Sequence, residues 1–160
     1  MNEVRIIRFQ THFLPLVRRT ERVVDWLDHI PYSILAIPLR FAVGVIFWNS
    51  ATAHLANWDT TLELFETDYA LPFIPPHIAA DLVITIETVA PILLVLGLAV
   101  RPTALILLGM TLVIQILIYP QAWPTHIQWA AMLTILLCRG AGEFSLDRLF
   151  KRSTPRISQQ

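Results

Sequence analysis

Four apolar stretches, each close to the length needed to cross the roughly 30 Å hydrocarbon core of a bilayer, constrain this chain more than any other feature. They run from about Ser33 to Leu55, His77 to Val100, Pro102 to Tyr119 and Thr125 to Cys138, the last two being short enough to draw on their flanks. In hydrocarbon every backbone N–H and C=O must be satisfied internally, so such stretches become helices. Composition agrees, with 55% hydrophobic and 15% charged residues and a mean hydropathy of +0.57, where a soluble domain carries about 25% charged residues. The expected fold is all-α: an integral membrane, antiparallel four-helix bundle preceded by an N-terminal amphipathic interfacial helix. Its expected divisions are an interfacial segment over 1–32, a four-span domain over 33–150 and a basic tail over 151–160.

Charge placement sets the orientation. Arg5, Arg8, Arg18, Arg19 and Arg22 precede the first stretch, and Arg101 stands between the second and third. Arg139, Arg148, Lys151, Arg152 and Arg156 follow the fourth, and the first and third connections hold no lysine or arginine. Every basic residue except Arg40 therefore falls on one side, which the positive-inside rule makes cytoplasmic. The expected location is the bacterial inner membrane, with both termini inside. Arg101-Pro102 is read as the whole turn between the second and third spans. The connection from Asn57 to Pro76 is long and acidic (Asp59, Glu63, Glu66, Asp68) and ends in the aromatic, proline-rich run Tyr69-Ala-Leu-Pro-Phe-Ile-Pro-Pro. Val23, Val24, Leu27 and Ile30 share one helical face in the segment before the first span.

Several classes are excluded or disfavoured. The net charge is zero, with 12 basic and 12 acidic residues, which gives no footprint for nucleic acid. The one cysteine, Cys138, rules out an intrachain disulfide or a CxxC redox pair. The first thirty residues lack the uninterrupted apolar core and cleavage site of a signal peptide.

Ionisable groups within the spans are costly and so read as functional by default. Arg40 in the first span and Glu87 in the second are the two clear cases, assigned here to catalysis or proton handling. Counting about 1.5 Å per residue puts them roughly 9 Å apart in depth, a gap an arginine can span unless it snorkels the other way. A structural ion pair between helices is an equally good reading. Asn49 and Gln115 come out level with Glu87, where polar groups often simply hydrogen-bond helices together. With Trp123 and His126 they form the set assigned to cofactor binding. Nearer the outer surface, His54, His77, Asp81 and His126 gather from three helices and are the residues that could ligate a metal, although their spacing matches no recognised signature. Trp48, Trp58, Trp123 and Trp129 surround this level, where interfacial anchoring explains them.

The run from Phe41 to Leu149 resembles the DoxX family of small four-helix membrane proteins. The features are Arg40, the stretch Glu87-Thr-Val-Ala-Pro-Ile-Leu-Leu-Val-Leu-Gly-Leu-Ala-Val-Arg101, and the ending Gly140-Ala-Gly-Glu-Phe-Ser145-Leu-Asp147. More narrowly, Tyr69-Ala-Leu-Pro-Phe-Ile-Pro-Pro, Gly109-Met-Thr-Leu-Val-Ile-Gln115 and Tyr119-Pro-Gln-Ala-Trp-Pro-Thr-His126 look like one subgroup, encoded beside metal-binding modified peptides (bufferins). That subgroup usually has a basic residue, a glycine and a lysine where this chain has Asn49, Ala51 and His54.

The resemblance implies a quinone-linked redox subunit or accessory acting in metal or oxidative stress, or in sulfur-linked electron transfer. A quinone is the cofactor it suggests, with copper or iron as alternatives. The partners are the lipid bilayer and a redox-enzyme subunit or metal-binding peptide system, with no nucleic acid. No haem, flavin or iron–sulfur fingerprint stands in the sequence. Two other classes remain open: a transporter of a metal ion or small solute through the same polar layer, and a non-catalytic membrane anchor for a soluble partner.

Overall fold

A computed structural model describes residues 20–69 and 72–153. The part of the expected interfacial segment before residue 20, positions 70 and 71 of the aromatic connection, and the tail after Ser153 lie outside the described residues. All regular structure among the described residues is helical. The chain divides into two units, Met1–Tyr32 and Ser33–Gln160.

In the first unit, α1 covers residues 20–28 and closes with backbone bonds from His29 and Ile30 to Trp26 and Leu27. Val23, Val24, Trp26 and Leu27 stand exposed on it, an apolar surface of the kind an interfacial helix presents.

The second unit, whose first helix starts one residue earlier at Tyr32, is built from α2 (Tyr32–Ala56), α3 (Trp58–Thr67), α4 (Pro76–Leu96), α5 (Val100–Val113), α6 (Trp123–Arg139) and α7 (Leu146–Ser153). The α5 rod continues through a π-helical turn, Ile114–Ile118, into a short 3₁₀ turn, Pro120–Ala122. Three helices are long and apolar enough to cross a membrane by length and composition: Tyr32–Ala56, Pro76–Leu96 and Val100–Ile118. Only 33%, 39% and 22% of their most apolar windows are buried in the protein, so most of each apolar surface faces outward and lipid is its natural solvent. This is a membrane protein. The α6 helix has 17 residues and carries Thr125, His126 and Gln128 in its first turns.

At one crossing a glycine lets two helices approach closely. A Cβ on Gly44 would stand 3.1 Å from Val95 Cγ2 and 3.6 Å from the Pro91 carbonyl, so α2 and α4 cross there in near contact. Around that crossing Val43, Phe47, Ala90, Leu94, Ala104, Leu107, Leu133 and Leu136 form the main core. A smaller cluster of Phe65, Ala79 and Ala80 seats α3 on α4.

Two connections differ from expectation. The acidic connection contains α3. Asn57 adopts an extended backbone and its side chain accepts from the Thr60 N–H, an N-cap that starts a helix before the acidic first turn (Asp59). The turn between the second and third spans is Gly97-Leu98-Ala99, while Arg101 and Pro102 lie in the first turn of α5. Gly97 sits in the left-handed region at φ +69, and Leu98 N–H reaches back to the Leu93 carbonyl, so α4 ends in a Schellman-type cap.

Candidate functional site

The polar residues of the second unit collect at two places, one near the end carrying Arg101 and Arg139 (the arginine end) and one toward the end carrying Tyr69 and Tyr119 (the tyrosine end). At the arginine end the Gly140–Asp147 segment folds back onto the α4–α5 turn. Asp147 Oδ1 accepts from the Ala99 N–H at 2.8 Å and Oδ2 from the Val100 N–H at 3.3 Å, so a carboxylate distant in sequence caps α5. Ala99 is held at φ +50, unfavourable for a residue with a Cβ, by this bond and the following turn. Asp147 N–H returns a bond to the Gly97 carbonyl at 3.0 Å, and Ser33 Oγ accepts from the Glu143 N–H at 2.9 Å.

Arg40 belongs to this lock. It is 4% exposed, and its Nη2 donates to the Phe144 carbonyl at 2.9 Å while Nε reaches Ala36 O at 3.3 Å. A Cβ on Gly97 would fall 2.1 Å from Arg40 Nη1 and 2.7 Å from Ser145 Cβ, so only glycine admits the guanidinium there. Gly97 is ten residues beyond Glu87 along α4, roughly 15 Å at the helical rise. The structure therefore separates Arg40 from Glu87: the guanidinium turns toward the arginine end, the snorkelling direction, and takes main-chain carbonyls as partners.

Toward the tyrosine end lies a cavity of about 160 Å³. Phe47, Met110, Val113, Ile118 and Trp129 give it mostly apolar walls, and Glu87, Ser50, His54 and His126 line it as well. Glu87 is 3% exposed. Its Oε1 accepts from Ser50 Oγ–H at 2.8 Å, and its Oε2 lies 3.1 Å from His54 Nδ1. Ser50 and His54 stand one helical turn apart on the face of α2 that also buries Phe47 and Ala51, which brings both to one carboxyl group. Thr61 Oγ1 donates to the His54 carbonyl at 2.7 Å, tying the end of α2 to α3.

Above this pair Tyr69 and Tyr119 close the cavity, their hydroxyls 3.1 Å apart and their rings edge to face at 5.6 Å. Tyr69 also packs edge-on against His54 and Phe65. Burial pushes the Tyr69 phenol well above its ordinary value, and the Tyr119 bond and the nearby Glu87 and Asp68 carboxyls push the same way. On the facing wall His126 is 5% exposed, and its Nδ1 donates to Gln115 Oε1 at 2.7 Å; Gln115 Nε2 donates in turn to the Pro120 carbonyl at 2.8 Å. Gln115 lies in the π-helical turn Ile114–Ile118 and reaches His126 on α6 from there.

Of the residues singled out from sequence, Glu87, His54 and His126 line the cavity, and Gln115 orients one of them. Asn49 and Trp123 are exposed and do not line it. His77 and Asp81 are also exposed, and the described residues contain no cluster of three or more histidine, cysteine or acidic side chains placed to hold a metal ion. Sequence reasoning passed over Ser50 and left Tyr69 and Tyr119 as motif or interface residues. The signal for Ser50 was its spacing of four from His54 beside the buried Phe47.

Fold and site together define an all-helical membrane protein whose apolar helices enclose a carboxyl–imidazole pair. The chain belongs to the DoxX family, whose model matches residues 35–120. The match includes Arg40, Glu87, Gln115 and Tyr119 and stops short of His126 and the Asp147 cap. No curated protein and no solved structure matches the chain.

Proposed function

We propose that this DoxX-family protein is a redox accessory or subunit whose cavity holds the ring of a membrane quinone or quinol and handles the protons of its redox change. One observation carries the reading: Glu87, paired with His54 and Ser50, faces a largely apolar cavity between apolar helices. A quinone ring is flat, uncharged and lipid-soluble, and it carries oxygens at opposite ends. Such a ligand suits apolar walls with a few convergent polar groups. Glu87 accepts or returns a proton at Oε2, and His54 orients that oxygen and passes the proton toward the tyrosine end. Electrons travel to or from a partner protein.

The same reading makes α6 a fourth span, extended by the Pro120–Ala122 turn, in an antiparallel bundle with both termini in the cytoplasm and α1 on the inner leaflet. The arginines at one end of the helices support that orientation. The subgroup resemblance is supported by convergence, since its three motifs contribute Tyr69, Met110, Tyr119 and His126 to one cavity. A role beside a metal-binding peptide system rests on that likeness.

The test is purification from membranes followed by solvent extraction and chromatography. Quinone in stoichiometric amount is the expected result, and Glu87→Gln should insert normally yet lose the bound quinone and the stress resistance of its host. A Glu87→Gln protein that keeps both would remove the mechanism. Stoichiometric metal without quinone would move the assignment to transport, and neither ligand would leave a membrane anchor. Impermeant maleimide should reach Cys138, exposed near the arginine end of α6, only from the cytoplasmic side; labelling from the outside would reverse the topology.

A further inference from the structure

The hydrogen-bond chain from Pro120 through Gln115 to His126 carries information about the ligand that the cavity's shape does not. The Pro120 carbonyl can only accept, so the Gln115 amide must turn its NH₂ toward it, which leaves Oε1 facing His126. The opposite amide orientation would set two acceptor oxygens 2.8 Å apart. Oε1 in turn can only accept, so His126 Nδ1 must carry a hydrogen. In the neutral ring Nε2 is then a bare lone pair, with no hydrogen-bond partner among the described residues. The ring is 5% exposed, lies tilted against Trp129 with centroids 5.0 Å apart, and lines the cavity. At His126 the site therefore offers an acceptor and no donor.

We infer that the cavity selects the reduced, hydroxyl-bearing member of its redox pair, the quinol, with His126 Nε2 accepting the hydrogen bond of one ring hydroxyl. This rests on the quinone reading above and adds a direction to it. A quinone presents carbonyl oxygens only, and one of them placed against Nε2 would leave two buried acceptors facing each other. The tyrosine pair does not discriminate in this way. With Tyr119 O–H donating to Tyr69, the remaining Tyr69 O–H can meet a hydroxyl or a carbonyl equally. Selection therefore sits at His126, and Gln115 is its positioning residue.

The experiment uses full-length protein in detergent, titrated separately with a short-tailed benzoquinol under reducing conditions and with the matching benzoquinone, following quenching of tryptophan fluorescence. The quinol should bind about tenfold or more tightly, the penalty expected when a site built to receive a hydroxyl meets an analogue lacking it. In Gln115→Leu the imidazole is no longer held in one tautomer, and the ratio should fall toward one with quinone binding retained. A second readout needs no ligand: with ¹⁵N-labelled histidine, the His126 signals, assigned by their loss in His126→Gln, should show Nδ1 protonated and Nε2 bare. Equal or tighter binding of the quinone, or the opposite tautomer, overturns the selection while leaving a quinone site. Binding of neither form overturns the site itself.

Discussion

The two ends of the helices use polar groups in opposite ways. At the arginine end nearly every polar side chain meets main chain: Arg40 meets the Phe144 carbonyl, Asp147 the amides of Ala99 and Val100, Ser33 the amide of Glu143. These contacts satisfy helix termini and turn backbone that lipid or a headgroup would leave unpaired, which is a structural task. Toward the tyrosine end most of the buried polar side chains meet one another, as in Glu87 with Ser50 and His54, His126 with Gln115, and Tyr119 with Tyr69, while Thr61 and Gln115 also reach main-chain carbonyls. They surround empty space rather than filling it. A groove lies at the arginine end too, but the Asp147 carboxylate lining it is already taken up by the amides of Ala99 and Val100.

The sharpest way to break this contrast is at Gly97. Gly97→Val would place a branched side chain at φ +69 and onto the Arg40 guanidinium, and should cost about 4 kcal/mol or more, read as loss of folded protein on detergent extraction. Next, Arg40→Met leaves the Phe144 carbonyl without its donor and should lower stability by about 1–3 kcal/mol, with ligand binding by the surviving folded fraction unchanged. Asn57→Ala removes the α3 cap and should cost about 1 kcal/mol, seen as earlier proteolysis of the acidic connection. The smallest effect is a pH dependence. The folded-state value of Tyr69 lies above the 10.0 of a free phenol, so the unfolded chain releases that proton first as pH rises. Its contribution is complete below pH 10.0 and declines above it, and Tyr69→Phe should flatten the alkaline fall in melting temperature.

Three of the four expected spans were legible in the sequence because lipid demands long apolar helices, and hydropathy reports that demand directly. The end of the second span was misplaced: apolar residues continue to Val100 on both sides of Gly97, and hydropathy does not register a left-handed cap. The α3 helix was hidden in an acidic loop because its start depends on one side-chain bond from Asn57. Glu87 was found because a carboxyl group stands out in an apolar run. Its partner was not, since counting depth along separate helices put His54 at the mouth and Glu87 in mid-membrane. Where two helices cross and how they rotate decides which side chains meet, and that is set by Gly44 against Pro91 and Val95 rather than by any local pattern. The Gly140–Asp147 ending was recognisable as a motif, yet its role as a remote cap for α5 needed the folded chain.

The geometry pairs the Glu87 carboxyl group with His54 and not with Arg40. Double-mutant cycles on detergent stability decide it, pairing Glu87→Gln with His54→Asn and, separately, with Arg40→Met. A coupling of about 1 kcal/mol for the first pair, with the second additive within about 0.5 kcal/mol, is the expected result. Additivity for Glu87 with His54, together with strong coupling between Glu87 and Arg40, would contradict it.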